Sequence, residues 1–242
     1  MSEPASPPAI PDRTATVSVI VPVINEATNL PSCLAPVLTS SREIEVIVVD
    51  GGSQDGSADI ARALGATVLI SPVSQRAAQM NLGARCATGD VLVFLHADTI
   101  LPPDWLASLR GELRSHPEAL GGVFRRRFVR RSMFLRFTCW LADWRARWFG
   151  WFLGDQTIFV RRGAFDAAGG YRAMRAFEDL DFSVRLKKLG PSLVLPITAF
   201  SSGRRFAAKG PFFQTLADFL QTLRFLRNRE AFVAAQRVQE SK

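Results

Sequence analysis

The chain has 242 residues, 48% of them hydrophobic and 21% charged. That balance is enough for a sizeable core and excludes a largely disordered chain. The net charge of +8 leaves nucleic acid, anionic lipid and phosphorylated small molecules open as partners.

Residues 1–14 are rich in Pro and Ser, lack an apolar signal core and read as a disordered tail. The runs VSVIVPV (17–23), EVIVV (45–49) and VLVFL (91–95) are nearly continuous in β-branched and apolar residues, which suits strands buried on both faces of a parallel sheet. Between them, Leu30, Leu34 and Leu38 mark one helix and Ile60, Ala61 and Leu64 a second. Ala77, Met80 and Ala84 mark a third, after a short strand over 67–70. Alternating βα units place this half in the doubly wound α/β class.

The second half differs. Residues 121–130 (GGVFRRRFVR) predict a strand with a solvated face. Met133, Phe137, Trp140, Trp144, Trp148 and Trp151 or Phe152 recur at helical spacing, and packing into a core is the default for such a stripe. A short strand is expected over 157–160. A helix over 179–189 turns Leu180, Val184 and Leu186 inward and stops at Gly190-Pro191. Phe212, Leu216, Phe219, Leu220, Leu223 and Leu226 mark a last amphipathic helix, and residues 231–242 read as a frayed tail.

Cys33, Cys86 and Cys139 are odd in number and far apart, which argues for reduced core residues and against a disulfide framework or a zinc site. No apolar run approaches the roughly 18 residues that span a bilayer. A cytoplasmic place is therefore expected, with peripheral attachment to the inner face of the membrane left open. Arg125, Arg126, Arg127, Arg130, Arg131, Arg136, Arg145 and Arg147 fall in one stretch opposed only by Asp143. That stretch is either a solvated positive face or, with the neighbouring aromatics, a surface for anionic lipid.

Ligands of open parallel sheets bind beyond the carboxyl ends of the strands. After the first buried strand come Asn25 and Glu26, after the second Asp50 to Ser57, and after the third His96-Ala97-Asp98. Acids gathered on one edge are costly unless a cation or hydroxyl groups meet them. The Gly-rich phosphate cradle of a dinucleotide fold is missing after the first strand, which argues against an oxidoreductase. Asp98 can hold Mg²⁺ or Mn²⁺, sharing it with a diphosphate; its alternative is a helix N-cap, a place Asp104 fills better. His96 is either a second ligand or a strand-end residue. Arg204, Arg205 and Lys209 are either a diphosphate clamp or a solvated basic loop.

The runs VSVIVPVINEATNL, EVIVVDGGSQDGS, GDVLVFLHADT and FEDLDFSVRLKKLG, in that order and spacing, resemble a family 2 glycosyltransferase of the GT-A fold. Within that family the chain resembles a small soluble subgroup with His-Ala-Asp where many relatives carry Asp-x-Asp, some of whose members are described as arsenosugar-biosynthesis-like. The resemblance implies a Rossmann-like, mostly parallel α/β sheet flanked by helices, with a C-terminal acceptor-side part. It implies one domain over 15–230, with 15–100 serving the nucleotide and 101–230 the acceptor.

It further implies an inverting, hexosyltransferase-type enzyme that uses a nucleoside-diphosphate sugar and a divalent metal, Mn²⁺ or Mg²⁺. Glu26 and Asp50 would contact the nucleoside, with Ser53 and Asp55 shaping that pocket, and Asp98 would bind the metal. Asp179, beside Glu178, would deprotonate the acceptor hydroxyl; plain helix capping is the alternative for that pair. Asp155 and Gln156 would line the acceptor or sugar side. A lipid-linked acceptor fits the aromatic stripe, and no nucleic acid is expected. The rival readings are a nucleotidyltransferase of similar fold and a non-catalytic basic module binding membrane or nucleic acid.

Overall fold

The run Val17–Val23 forms β1, the strand about which the first half of the chain is built. Side chains of a strand alternate between faces. Val19 and Val21 therefore enter one core layer, and Ile20 the other, on the opposite face of the sheet. The computed structural model describes residues 15–41, 43–128, 133–153, 156–174, 176–202 and 211–229, with the backbone alone for 211–218. The predicted tails at 1–14 and 231–242 lie outside the described residues.

β1 pairs in parallel with β2 (Ile44–Asp50) and β4 (Val91–Phe94), and β2 pairs in parallel with β3 (Thr67–Ile70). The connecting helices are α1 (Leu30–Leu38), α2 (Ser57–Ala63) and α3 (Arg76–Cys86). Ala77, Met80 and Ala84 of α3 are buried as their spacing predicts, whereas Leu64 falls just past α2 and is partly exposed. Gly83 explains how closely α3 lies on the sheet. A Cβ there would stand 2.5 Å from Ile20 Cγ2 and 3.1 Å from Val49 Cγ2.

The described sheet has eight strands in the order β3-β2-β1-β4-β7-β6-β8-β5. Beyond β4 it is mixed: β7 (Ile158–Arg161) runs antiparallel to both β4 and β6 (Gly121–Phe128). β6 is parallel to β8 (Ser192–Ser201), which is antiparallel to the two-residue β5 (Thr99–Ile100). The solvated face expected for residues 121–130 is not found over β6. Arg126 is buried and Arg125 and Arg127 are half-buried, because β6 is an interior strand.

α4 (Trp105–Ser115) covers one face with Trp105, whose indole N–H is satisfied by Ser40 Oγ at 2.8 Å. α6 (Arg162–Ala167) and α7 (Glu178–Leu189) lie on the other face with α3. α5 (Met133–Phe149) and α8 (Pro211–Arg227) contact one another. The core packing expected of the aromatic stripe on α5 is not what forms. Leu135, Cys139, Ala142 and Ala146 face inward, and Met133, Phe137, Trp140, Trp144 and Trp148 face outward. The inward face is made of smaller side chains, so the helix sits close to the sheet and its large rings have no room beneath it.

Candidate active site

The carboxyl ends of β1, β2 and β4 and the start of antiparallel β7 share one edge of the sheet, since Val23 pairs with Asp50 and Phe94 with Ile158. At that edge Gln79 of α3 is buried, and its side-chain N–H₂ donates to Val23 O and to Val49 O, each at 2.8 Å. This amide joins the ends of β1 and β2. It also leaves little space above Gly51, where a Cβ would meet it at 3.0 Å.

The loops after these strands lock onto one another. Asn25 adopts φ 52°, a left-handed conformation that Asn tolerates. Its Oδ1 accepts from Gln54 N at 2.9 Å, and its own N–H donates to Ser53 Oγ at 2.8 Å. Asp55 accepts from Ala27 N at 2.9 Å through one oxygen, and from Ser57 N and Oγ at 3.0 and 2.5 Å through the other. The Ser57 hydroxyl, then the Ala27 amide, hold the Asp55 carboxyl below its usual range. Glu26 donates its N–H to Ser57 Oγ at 2.9 Å and accepts from the Asn29 side-chain amide. Ser53 and Asp55 are thus bound up in loop architecture.

Asp50 is different. One oxygen accepts from Gly52 N and Ser53 N, each at 3.0 Å, while Oδ1 is buried with no hydrogen-bond partner. Gly52 has φ +96°, which a residue with a Cβ takes up only with strain. A buried unpaired acceptor costs about 1–3 kcal/mol, so Asp50 Oδ1 is poised to accept from a ligand.

Asp98 follows β4 and is half-buried. Ser202 Oγ donates to it at 2.9 Å and Thr99 Oγ1 at 3.4 Å, and Ser202 N donates to its backbone carbonyl at 3.1 Å. It caps no helix; Asp104 stands at the start of α4, itself without a side-chain capping bond. Cys33 of α1 reports on the neighbourhood. Burial first, then Asp98 and Glu26, push its thiol up to about 12, so both carboxylates lie near one sulfur. His96 supplies its backbone carbonyl to Cys33 Sγ at 3.5 Å.

No group of three or more His, Cys, Asp or Glu able to hold a metal occurs among the described residues. The side-chain partners of Asp98 are neutral hydroxyls, so its charge is not offset by a cation among the described residues. One such carboxylate suits Mg²⁺ or Mn²⁺, which take few protein ligands and fill the rest with diphosphate and water.

Glu178 and Asp179 open α7 and are almost wholly buried. Neither caps it: the N-cap is Phe177, at φ 66°, with no side-chain capping bond. Both carboxylates instead meet Arg76, the first residue of α3. Its guanidinium bonds Glu178 Oε1 and lies 3.8 Å from Asp179 Oδ2, beyond hydrogen-bond reach. Glu178 Oε2 and Asp179 Oδ2 have no hydrogen-bond partner. Burial, then the charge of Glu178, raise the Asp179 carboxyl to about 7 against the pull of Arg76. The Tyr171 phenol is buried beside them with an unpaired hydroxyl. Its burial, then Asp179 and Glu178, push its pKa well up.

Tyr171 ties this cluster to β4 through an edge-on contact with Phe94, ring centroids 5.0 Å apart. Gln156 is also buried at this edge, its Oε1 accepting from Leu153 N at 3.4 Å and its Nε2 without a hydrogen bond. Asp155, Arg204, Arg205 and Lys209 lie outside the described residues.

Sequence reasoning missed Arg76, Gln79 and Asp181. Arg76 did leave a signal, because a cation in the first turn of a helix opposes the helix dipole and calls for a compensating acid. Asp181 is fully buried and held by Arg185 at 2.8 Å, Arg229 at 2.7 Å and Arg172 at 3.5 Å, which fixes α7 to the end of α8.

Comparison with known proteins agrees with this architecture. The family model described as "Glycosyl transferase family 2" matches residues 18–180. The chain is similar to a PGL/p-HBAD biosynthesis glycosyltransferase of Mycobacterium tuberculosis, 32% identical over 187 residues that cover 69% of this chain and 68% of the relative. Among solved structures it resembles a mannosyltransferase from Pyrobaculum calidifontis in complex with GDP-Man and Mn²⁺. That likeness has a TM-score of 0.60 at 21% identity, covering 86% of this chain and 62% of that one, so the chain spans less than two thirds of that protein. It also resembles glucosyl-3-phosphoglycerate synthase from Mycobacterium tuberculosis, in complex with Mn²⁺, UDP and glucosyl-3-phosphoglycerate. There the TM-score is 0.55 at 19% identity, covering 77% of this chain and 71% of that one.

Proposed function

The chain belongs to glycosyl transferase family 2 and is a glycosyltransferase of the GT-A fold, and from that premise we propose that it moves a sugar from a nucleoside-diphosphate donor to an acceptor hydroxyl with inversion at the anomeric carbon. The family match sets aside the oxidoreductase, nucleotidyltransferase and non-catalytic-module alternatives. The observation that carries the mechanism is the buried acidic pair on Arg76, whose Glu178 Oε2 and Asp179 Oδ2 lack hydrogen-bond partners. Helix capping does not account for that arrangement.

In this reading residues 15–100 serve the nucleotide and 101–230 the acceptor. Asp50 Oδ1 accepts from a donor N–H or O–H of the nucleoside, on the loop surface that Ser53, Asp55 and Glu26 keep in shape. Asp98, with His96 as a second candidate, would hold Mn²⁺ or Mg²⁺. When bound, the ion supplies Lewis-acid stabilisation of the charge that develops on the leaving diphosphate. Support for a metal comes from the two solved relatives that contain Mn²⁺ and from the hydroxyl-only partners of Asp98. Arg204, Arg205 and Lys209 are retained as diphosphate contacts from their chemistry alone.

Asp179 accepts the proton of the acceptor hydroxyl as its oxygen bonds to the anomeric carbon. The bond from that carbon to the diphosphate oxygen breaks on the opposite face, which inverts the centre. Glu178 holds Arg76 in place, and Arg76 favours the ionised base. Asp155 and Gln156 line the acceptor or sugar side. An apolar, lipid-linked acceptor and a peripheral place on an anionic membrane belong to the same proposal, as does kinship with soluble relatives that carry His-Ala-Asp.

The test is a panel of nucleoside-diphosphate sugars, with and without Mn²⁺, read by thermal shift and by release of nucleoside diphosphate. One donor should stabilise the protein more with Mn²⁺ than without. If none shifts the melting temperature under either condition, the donor assignment fails.

A further inference from the structure

Five residues of α5, Met133, Phe137, Trp140, Trp144 and Trp148, lie on one helical face and are between 43% and 88% exposed. On α8, in contact with α5, Phe219, Leu220 and Leu223 are exposed as well. Isolated exposed apolar residues are ordinary, but a row of large rings on one helix, with further exposed apolar residues on a helix in contact with it, marks an interaction surface.

The composition of this surface selects its occupant. Tryptophan favours the boundary between headgroups and acyl chains, where the ring is buried and the indole N–H stays solvated. At about 100° per residue, Arg136 and Arg147 fall beside one edge of the α5 row. Both are exposed, as are Arg224 and Arg227 of α8. The acid of α5, Asp143, is drawn inward to within 3.4 Å of Arg127 and does not oppose them. An aromatic row edged with arginines complements an anionic bilayer surface, in which basic side chains reach the headgroups while the rings sink below them. No helix among the described residues is long and apolar enough to cross a membrane, so the match is to a surface.

The row also leads toward the acidic pair. At its carboxyl end Phe149 stacks on Trp151 with centroids 4.8 Å apart. Trp151 packs with Leu153 and Phe177 around Met174, Leu180 and Phe225. Phe177, stacked on Phe225 at 5.1 Å, immediately precedes Glu178 and Asp179. Apolar contact therefore runs from Phe149, at the end of the row, to Phe177, the residue before the buried carboxylates.

We infer that the face formed by α5 and α8 docks flat on an anionic phospholipid bilayer and so holds the Asp179 side of the site toward an acceptor lying in that surface. The inference deepens the peripheral placement proposed above by naming the face that docks; the clause about the acceptor rests on the enzymatic reading, whereas binding to the bilayer does not require catalysis.

The test is co-flotation of the full chain with vesicles of phosphatidylcholine alone and with vesicles containing about one third phosphatidylglycerol, at low and at near-physiological salt. The expected result is binding to the anionic vesicles roughly tenfold or more above the neutral ones, weakened by salt, with a blue shift of tryptophan fluorescence. The triple variant Trp140→Ser/Trp144→Ser/Trp148→Ser should lose that binding while its melting temperature and nucleotide-sugar thermal shift stay at the parent values. Arg136→Glu/Arg147→Glu should lose the preference for anionic vesicles. Three results would overturn the inference: no flotation at low salt, triple-variant binding equal to the parent, or a parent dimer that the triple substitution dissociates in the absence of lipid binding. The donor thermal shift is read on the same samples, so failure of the docking and failure of the glycosyltransferase site are separate outcomes.

Discussion

The guanidinium of Arg76 lies 3.8 Å from the carboxylate of Asp179, joining the first turn of α3 to the first turn of α7. Two helix starts thereby share one buried cluster, in which a cation that a helix N-terminus disfavours is balanced by acids that it favours.

Asp179→Asn keeps the size of the side chain and removes its ability to take a proton. Transfer should fall by about 10²–10⁴-fold, the range of a lost general base. Donor affinity should hold within about threefold, because the proposed nucleotide contacts lie on other loops. Initial rates and calorimetric titration on the same preparation separate the two effects, and unreduced turnover would remove Asp179 as the base.

The pH dependence follows from burial of the pair. Asp179, raised to about 7, must lose its proton before it can accept one, so kcat/KM should climb with an apparent midpoint near 7 that belongs to the Glu178–Asp179 pair. Arg76→Met removes the opposing cation and should move that midpoint upward, with Arg76→Lys intermediate. A midpoint unmoved in Arg76→Met would detach Arg76 from the base.

Stability carries the matching sign. A carboxyl raised in the folded state favours folding while protonated. Its contribution is fully present below the ordinary carboxylate range and is lost as pH rises through about 7. Melting temperatures measured from pH 4 to pH 8 should show a decline that is smaller in Asp179→Asn than in the parent chain.

Asp98→Asn should weaken donor binding in the presence of Mn²⁺ on the order of tenfold, about 1.4 kcal/mol, and leave metal-free nucleotide binding unchanged. Titrations with and without the ion give the comparison. An equal loss in both would make Asp98 a loop-holding residue through Ser202 and Thr99.

Gln79→Leu removes two bonds to buried carbonyls at the ends of β1 and β2. It should cost about 2–3 kcal/mol in urea unfolding, since Val49 O and Val23 O lose a donor that an apolar chain cannot replace. It should also lower donor affinity through the Asp50 loop beside it.

The strands and helices of the first half were legible because burial on both faces leaves continuous apolar runs, as in residues 17–23 and 91–95. The acids after those strands were legible for the same reason, since a charge directly after a buried run stands out. The pairing of the second half was not. β7 is four residues long and its antiparallel place between β4 and β6 is a tertiary choice that no local pattern records. For α5 core packing was the default and an outward, lipid-facing stripe the alternative, because periodicity reports that a helix is amphipathic but not whether its larger or smaller side chains meet the sheet. Arg76 and Gln79 were overlooked because their partners are distant in sequence, Glu178 being 102 positions from Arg76.

The two-residue β5 carries a consequence for how the molecule comes together. β4 ends at Phe94 and β5 begins at Thr99, yet in the sheet they stand four places apart. Four strand spacings are roughly 19 Å, more than the four intervening residues, which include a turn, span comfortably, so the sheet must curl back upon itself. The pairing Thr99↔Ser201 is then the latch of that curl, and it joins residues that leave the ribosome a hundred codons apart. Closure of such a distant pair is slow compared with the local βα units before it. During synthesis the first half can fold early, while the curl of the sheet stays open until residue 201 arrives to close it.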